Sequence, residues 1–508
     1  MKNQFESIFK VKNSLYVREF NPNSNISEIK SIQETPSLFV TDKRGEYSFI
    51  LDNSIKLQKM TFSNSYELRE FEKSKELLYG FNTYGKRQYM YQYIYENYFE
   101  KTEIPNSRIW YFDIEVHLLG GFPEPEDALG EVTLIQFYDS TDKKMYVIGS
   151  RPYNGLDTSF RYIQAKDEKD IFDKFIKMMN HFKPFILAGW NSEMFDIPYL
   201  VNRMKKIGLD PRLLSPVNNI NSYEIKNNNS TKISYNISGL ALIDMMITYK
   251  KFILEPRESY SLNHISNIEL GMSKVENTEE DFQTFYLNNF DTFVEYGAMD
   301  VELLYKIEEK TNIIAIQKSI AYAMGVNIQG DSLGTVKPWD TYIYNKAIDK
   351  GLVLPSFSSN PDAKLRGGWI PNPIEGKFED ILSLDFNSLY PNMTRSANMS
   401  PDTKVMNPPN DLKPYLLKLN GDENILTELP EEFWNGLQSL LNKHNYSCTA
   451  FGVLFRKDKQ GIIPELFSEL YNKRVQDKKK SKRFSNIKEK IKNILKRTKS
   501  NESQKVQK

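Results

Sequence analysis

Residues 381–401 read Ile-Leu-Ser-Leu-Asp-Phe-Asn-Ser-Leu-Tyr-Pro-Asn-Met-Thr-Arg-Ser-Ala-Asn-Met-Ser-Pro. Ile381, Leu382 and Leu384 form an apolar run before an acid, Asp385, and Ser388-Leu389-Tyr390-Pro391 supplies turn chemistry directly after it. Such a run is expected to form a strand that delivers one carboxylate to a sheet end, a position suited to a metal ligand. Backbone N–H groups of the following turn could hold phosphate oxygens. A core strand closed by an acidic turn, binding nothing, is the competing interpretation.

The chain around this stretch has 508 residues, enough for three or four domains. Aromatics at 13% and hydrophobics at 40% can fill large cores. A single cysteine, Cys448, excludes an internal disulfide and points to a reducing compartment. The four histidines (His117, His181, His264, His444) are scattered, so no zinc cluster is expected. Any metal would then be held by carboxylates, which favours Mg2+ or Mn2+. Neither a long apolar run nor a basic-then-apolar N-terminus is present, so neither a membrane span nor a signal peptide is expected. Net charge is only +1, but residues 471–508 carry 15 Lys/Arg against three acids, a net +12. The other 470 residues sum to −11. That asymmetry suits a basic arm aimed at phosphate or at a partner, and equally a solvated tail.

Residues 1–105 alternate apolar and polar positions in short runs and predict a small mixed domain without a catalytic signature. Ser107 to Val116 predicts a strand ending in Asp113-Ile114-Glu115, whose two carboxylates share one face by period-two geometry. Strands are expected at Val132–Tyr138 and Met145–Ile148, and a strand running into a turn at 184–191. Phe195-Asp196 opens a helix expected to reach Lys206. The stretch Phe293 to Val301 predicts a helix with Tyr296 and Asp300 four apart on one face. Asn227-Asn228-Asn229-Ser230 beside Thr231–Tyr235 predicts a hairpin turn. Residues 330–380 lack strong periodicity but contain Arg366-Gly367-Gly368-Trp369, where paired glycines permit close backbone approach to a ligand.

Taken singly, each acid could be a surface group or a cap. Their order is more informative. Asp113-x-Glu115 on a strand, Asn191-x-x-x-Phe195-Asp196, then Tyr296-x-x-x-Asp300 resembles the three motifs of DEDD-type 3′→5′ exonucleases. The string Asp385-Phe386-Asn387-Ser388-Leu389-Tyr390-Pro391 resembles the first palm motif of family B DNA polymerases. Within that family the chain looks most like the replicative polymerases of T-even-like bacteriophages, as do Ser215-Pro216-Val217 and Tyr249-Lys250-Lys251-Phe252.

The resemblance implies an α/β and α+β multidomain fold. Residues 1–105, with 330–378 returning to them, would form an N-terminal domain, and 106–329 an RNase H-like exonuclease. A partial palm over 379–469 and the first fingers helix with a basic tail over 470–508 would follow. Asp113, Glu115, Asp196 and Asp300 would hold two Mg2+ or Mn2+ ions, with Tyr296 orienting the attacking water. The 227–235 hairpin would help separate a mispaired primer end from its template. Asp385 and the Phe386 carbonyl would hold further ions at a polymerase site. Ser388 and Leu389 N–H groups would cradle the triphosphate, and Tyr390 would exclude a 2′-hydroxyl. Arg366, Gly367 and Gly368 would touch template DNA, although Leu365 stands where the family often has tyrosine. Arg474 and Lys478, one helical turn apart, would offer cations to the incoming nucleotide.

Two parts of the family pattern do not occur after Asp385: the Asp-Thr-Asp motif and the Lys…Asn-Ser-x-Tyr-Gly stretch. One carboxylate does not hold two metals, so this chain alone is not expected to polymerise. The first reading is the N-terminal subunit of a split phage polymerase acting in the cytoplasm of an infected bacterium. Its partners would be primer-template DNA, deoxynucleoside triphosphates, a C-terminal chain carrying the missing palm, fingers and thumb, and a clamp reached through that chain. The alternatives are a free-standing 3′→5′ exonuclease with a vestigial palm, a non-catalytic DNA-binding accessory protein, and a piece of a longer polymerase.

Overall fold

The computed structural model describes residues 2–76, 82–117, 123–227, 230–272, 282–356, 372–386, 388–419, 426 and 428–506. The chain forms two compact units, one of residues 1–37, 61–78 and 87–345, the other of 38–60, 79–86 and 346–508. Both are mixed α/β.

The first unit is built on a six-stranded mixed sheet. Its order is Phe160–Gln164, Lys144–Gly149, Val132–Asp139, Ile109–Val116, Ile186–Gly189, Ala241–Asp244. Ile109–Val116 runs antiparallel to Val132–Asp139 and parallel to Ile186–Gly189. Buried on both faces, these strands are near-continuous hydrophobic runs, as Val132–Asp139 shows. The two-residue period sorts the faces. Trp110, Phe112, Ile114 and Val116 enter one core with Phe172 and Phe175 of the helix Glu168–Phe182. Tyr111 enters the opposite core with Phe293, Val294, Val301 and Leu304 of the helix Phe290–Thr311. Asp113 and Glu115 therefore share the parity of Tyr111 and the side covered by that helix.

Local chemistry sets the helix ends. Asp167 caps Glu168–Phe182 by accepting from the Asp170 N–H, and Lys183 ends it with a left-handed φ of 51°, just before Pro184. A three-stranded antiparallel sheet (Gln4–Val11, Ser14–Asn21, Ile26–Ile32) is tied into the same unit by one buried cation. Arg18 Nε donates to Glu6 Oε2 at 2.9 Å, and its other nitrogens donate to the carbonyls of Gly239, Lys183 and Pro184 at 2.7–3.0 Å.

The second unit holds a five-stranded sheet in the order Leu352–Val353, Tyr47–Phe49, Asp52–Thr61, Ser37–Thr41, Thr83–Tyr84. Phe39, Leu57 and Val353 are its core. A separate cluster packs Phe433, Leu437 and Leu441 of the helix Glu431–His444 against Leu412, Leu419 and Leu454. The C-terminal helix spans Ile462–Val506.

Several expectations need correction. The strand expected at Ile381–Leu384 is not formed: residues 381–386 are irregular, and Ile381, Leu382, Leu384 and Phe386 are 75–84% exposed. No strand among the described residues pairs with them, and an apolar run without a partner for its N–H and C=O groups gains nothing by extending. Residues 330–380, read as aperiodic, contain the helix Val336–Asp349. The C-terminal helix starts at Ile462 rather than Leu470, because its first N–H groups find caps. Gly461 N–H donates to Asn398 Oδ1, Ile462 N–H to Asp402 Oδ1 and Ile463 N–H to Ser400 Oγ. Arg366, Gly367 and Gly368 lie outside the described residues. So do the side chains of Ile487, Ile491, Ile494 and Leu495, whereas Phe484 before them is exposed.

Candidate active site

The strand Ile109–Val116 and the helix Phe290–Thr311 meet over a group of acids. Oxygens of Asp113, Glu115 and Asp300 all lie within 4.8 Å of one another. Glu115 and Asp300 are buried and Asp113 half-buried. Three carboxylates this close repel one another by about 3 kcal/mol per pair at an effective dielectric near 20. A divalent cation removes that cost. Carboxylate oxygens are hard donors, so the set fits Mg2+ or Mn2+. Tyr296 stands one turn before Asp300 on the same helix, half-buried with its ring edge-on to Phe285.

Asp196 begins the helix Asp196–Lys206 and is 3% exposed. Its carboxyl is pushed well above the usual range, first by burial and then by the charges of Asp113 and Asp244, while the Ile114 N–H pulls the other way. The fourth acid thus accepts from the N–H of the residue that follows Asp113, although it is not one of the three within 4.8 Å. Asn191, at φ 62°, makes the turn that leads to it.

Asp244 was not singled out from the sequence. It ends the strand Ala241–Asp244 and caps the helix Met245–Phe252 by accepting from Met246 and Ile247 N–H groups. The same carboxylate accepts from Asn191 and Glu193 N–H groups at 3.2 Å, so it also holds the turn before Asp196. Burial pushes Asp244 up to about 6, against the pull of those N–H groups. An acid between an apolar strand and a helix is a cap signal in sequence, but its second set of partners is visible only in three dimensions. Gln136 was also missed; it pairs with Asp113 across the strands and donates to Asp113 Oδ2 at 3.1 Å.

The hairpin Ile220–Asn227 and Ser230–Ile237 forms as expected from its turn chemistry, with Asn228 and Asn229 outside the described residues. It is bound to the Asn191–Asp196 turn: Tyr223 Oη donates to Glu193 Oε1 at 2.5 Å and Ser234 Oγ to the Glu193 carbonyl at 2.8 Å. A cavity of about 530 Å³ beside it is lined by Ser192, Glu193, Tyr223, Ser234 and Asp244, but not by Asp113, Glu115 or Asp300. The carboxylate geometry, rather than this cavity, marks the site.

In the second unit, Asp385, Phe386 and Tyr390 are exposed, and no sheet end among the described residues presents them. The helix Leu389–Ser396 begins directly after Ser388 and packs on the C-terminal helix. Arg474 Nη1 lies 3.4 Å from Ser388 Oγ, and Arg395 covers the Tyr471 ring at 5.3 Å. Ser388, Leu389 and Arg474 are thus brought together, and Lys478 is exposed one turn on.

Residues 82–265 match the family model "DNA polymerase family B, exonuclease domain", and residues 338–500 match "DNA polymerase family B". The chain is 26% identical to the DNA-directed DNA polymerases of Escherichia phage RB69 and of Enterobacteria phage T4, over 94% of its length and 54% of theirs. It is also 25% identical to the DNA polymerase delta catalytic subunit of Dictyostelium discoideum, over 73% of this chain and 33% of that one. The chain spans about half the length of the phage relatives. No helix among the described residues is long and apolar enough to cross a membrane. Two models of one family account for most of the chain, and it belongs to the family B DNA polymerases, with an exonuclease domain followed by polymerase-domain sequence.

Proposed function

We propose that the first unit is a cation-dependent 3′→5′ DNA exonuclease of RNase H-like build, acting in proofreading. The observation that carries this is the meeting of Asp113, Glu115 and Asp300 from a strand and a helix, with Asp196 buried beside Asp113. Asp113, Glu115, Asp196 and Asp300 would hold two divalent ions. Bound there, the ions would supply a lowered water pKa and charge stabilisation at the scissile phosphate. Tyr296 would donate or accept one hydrogen bond to fix the attacking water. The hairpin bound to Glu193 would keep a duplex end away, so that only an unpaired 3′ terminus enters. The expected result is release of nucleotides from 5′-labelled single-stranded DNA in Mg2+ or Mn2+, slower on paired ends and absent in chelator. Shortening from the 5′ end of 3′-labelled DNA would exclude the reading.

For the second unit the reading is the opening part of a polymerase site, working on primer-template DNA and deoxynucleoside triphosphates in an infected bacterial cytoplasm. It keeps the sequence boundaries of a 379–469 palm and a 470–508 fingers segment. The Ser388, Leu389 and Arg474 grouping supports it, since two N–H groups and a guanidinium suit a triphosphate. Arg366, Gly367 and Gly368 would contact template, and Lys478 would add a second cation. Asp385 and the Phe386 carbonyl would become ligands only once further strands, carrying the Asp-Thr-Asp carboxylates, pair with 381–386. A polypeptide that carries those strands and the thumb, added to this chain, tests the reading. Mixing the two should give template-directed synthesis, and Asp385→Ala should remove it while sparing the exonuclease. Robust synthesis by the 508 residues alone would show that residues 381–386 need no further strands to form a polymerase site. In the assembled enzyme Tyr390→Ala is expected to raise ribonucleotide over deoxyribonucleotide incorporation by about tenfold or more, roughly 1.4 kcal/mol of discrimination. An unchanged ratio would make Tyr390 a packing residue.

A further inference from the structure

We infer that Gln136 is a positioning residue for the cation site, holding Asp113 in its ligand orientation; the inference rests on the exonuclease reading. Gln136 is fully buried in a run that is otherwise almost wholly apolar, Val132-Thr133-Leu134-Ile135-Gln136-Phe137. Burying a primary amide costs about 1–3 kcal/mol for each group left unpaired, and Gln136 Oε1 meets no hydrogen-bond partner among the described residues. Strand register sets Gln136 directly opposite Asp113, and its Nε2 donates to Asp113 Oδ2 at 3.1 Å.

The other side of the amide is closed by the Asp300 helix. Gly297 lies between Tyr296 and Asp300, and a Cβ there would stand 3.0 Å from Gln136 Nε2 and 3.2 Å from its Cδ. A glycine inside a helix sacrifices up to about 1 kcal/mol relative to alanine. Here it gives the amide its room. Turning the amide over would set its Oε1 against a carboxylate oxygen, acceptor facing acceptor. Gln136 is therefore wedged between the strand that carries Asp113 and the helix that carries Asp300. One Asp113 oxygen is fixed before any cation arrives, although the neighbouring carboxylates push it away. Partners that orient a ligand in this way are typically worth about 10–100-fold in metal affinity or activity.

Two variants of the full chain test this. Gln136→Met keeps the volume and removes the donor, and Gly297→Ala intrudes on the amide while favouring the helix. Mn2+ binding without DNA is read by paramagnetic titration, alongside exonuclease kcat and KM on single-stranded DNA and the melting midpoint in chelator. Each variant is expected to bind Mn2+ about 10–100-fold more weakly. Activity should be partly restored by raising Mn2+, with KM for DNA unchanged and the midpoint in chelator no lower than wild type. Wild-type Mn2+ affinity in both variants would overturn this inference alone. Weaker binding that appears only with a lowered midpoint in both would make Gln136 a packing residue and also overturn it. Wild-type protein binding Mn2+ no better than the Asp113→Ala, Glu115→Ala variant would remove the exonuclease reading as well.

Discussion

Replacing Asp113 and Glu115 together by alanine is expected to lower 3′-terminal nucleotide release by at least about 1000-fold, roughly 4 kcal/mol of transition-state stabilisation. Two of the three oxygens that lie within 4.8 Å of one another vanish with the substitution, and Asp196 and Asp300 by themselves do not hold a pair of ions. Stability should move the other way. In chelator the wild-type acids repel one another, so removing two of them leaves the melting midpoint unchanged or raised. Loss of activity with an intact or higher midpoint separates a catalytic role from a folding one. Cleavage persisting in the pure double variant, at the wild-type Mg2+ optimum, would place the chemistry elsewhere.

The largest expected loss of stability comes from Arg18→Ala. Arg18 is 2% exposed and Glu6 1% exposed, and the guanidinium also satisfies three carbonyls, those of Lys183, Pro184 and Gly239. Its Cζ lies 5.4 Å from the centre of the Phe185 ring. Truncation leaves the Glu6 carboxylate without its cation in a buried site, which typically costs about 3–5 kcal/mol. The first unit should melt roughly 5–15 °C lower in consequence. A paired change, Arg18→Met with Glu6→Leu, should recover much of the loss, because no charge is then left stranded. An unchanged midpoint in Arg18→Ala would show that water reaches Glu6 and that the pair is not structural.

Much of the first unit was legible because its signals are local. The Ile109–Val116 strand, the turn to Asp196, the helix through Asp300 and the 220–237 hairpin follow from period-two and period-3.6 patterning with Asn and Pro punctuation. Parity within one strand is enough to put Asp113 and Glu115 on the same side. A four-residue spacing is enough to put Tyr296 and Asp300 on the same helix face.

The 381–401 stretch teaches the opposite lesson. Its motif is the clearest family signal in the chain, yet Asp385 stands exposed on irregular backbone. A strand is a property of a pair, and apolar residues specify a buried face only when another segment covers it. The sequence by itself determined the family, the acidic residues and the local elements that carry them. Tertiary structure alone decided what meets those acids. Asp244 holds both a helix and the Asn191 turn, Gln136 reaches Asp113 through the space left by Gly297, and Ser388 lies beside Arg474. The pairs Gln136–Asp113, Asn191–Asp244 and Arg474–Ser388 are separated by 23, 53 and 86 residues, and local propensity does not encode which distant groups a packed fold sets within a hydrogen bond of one another.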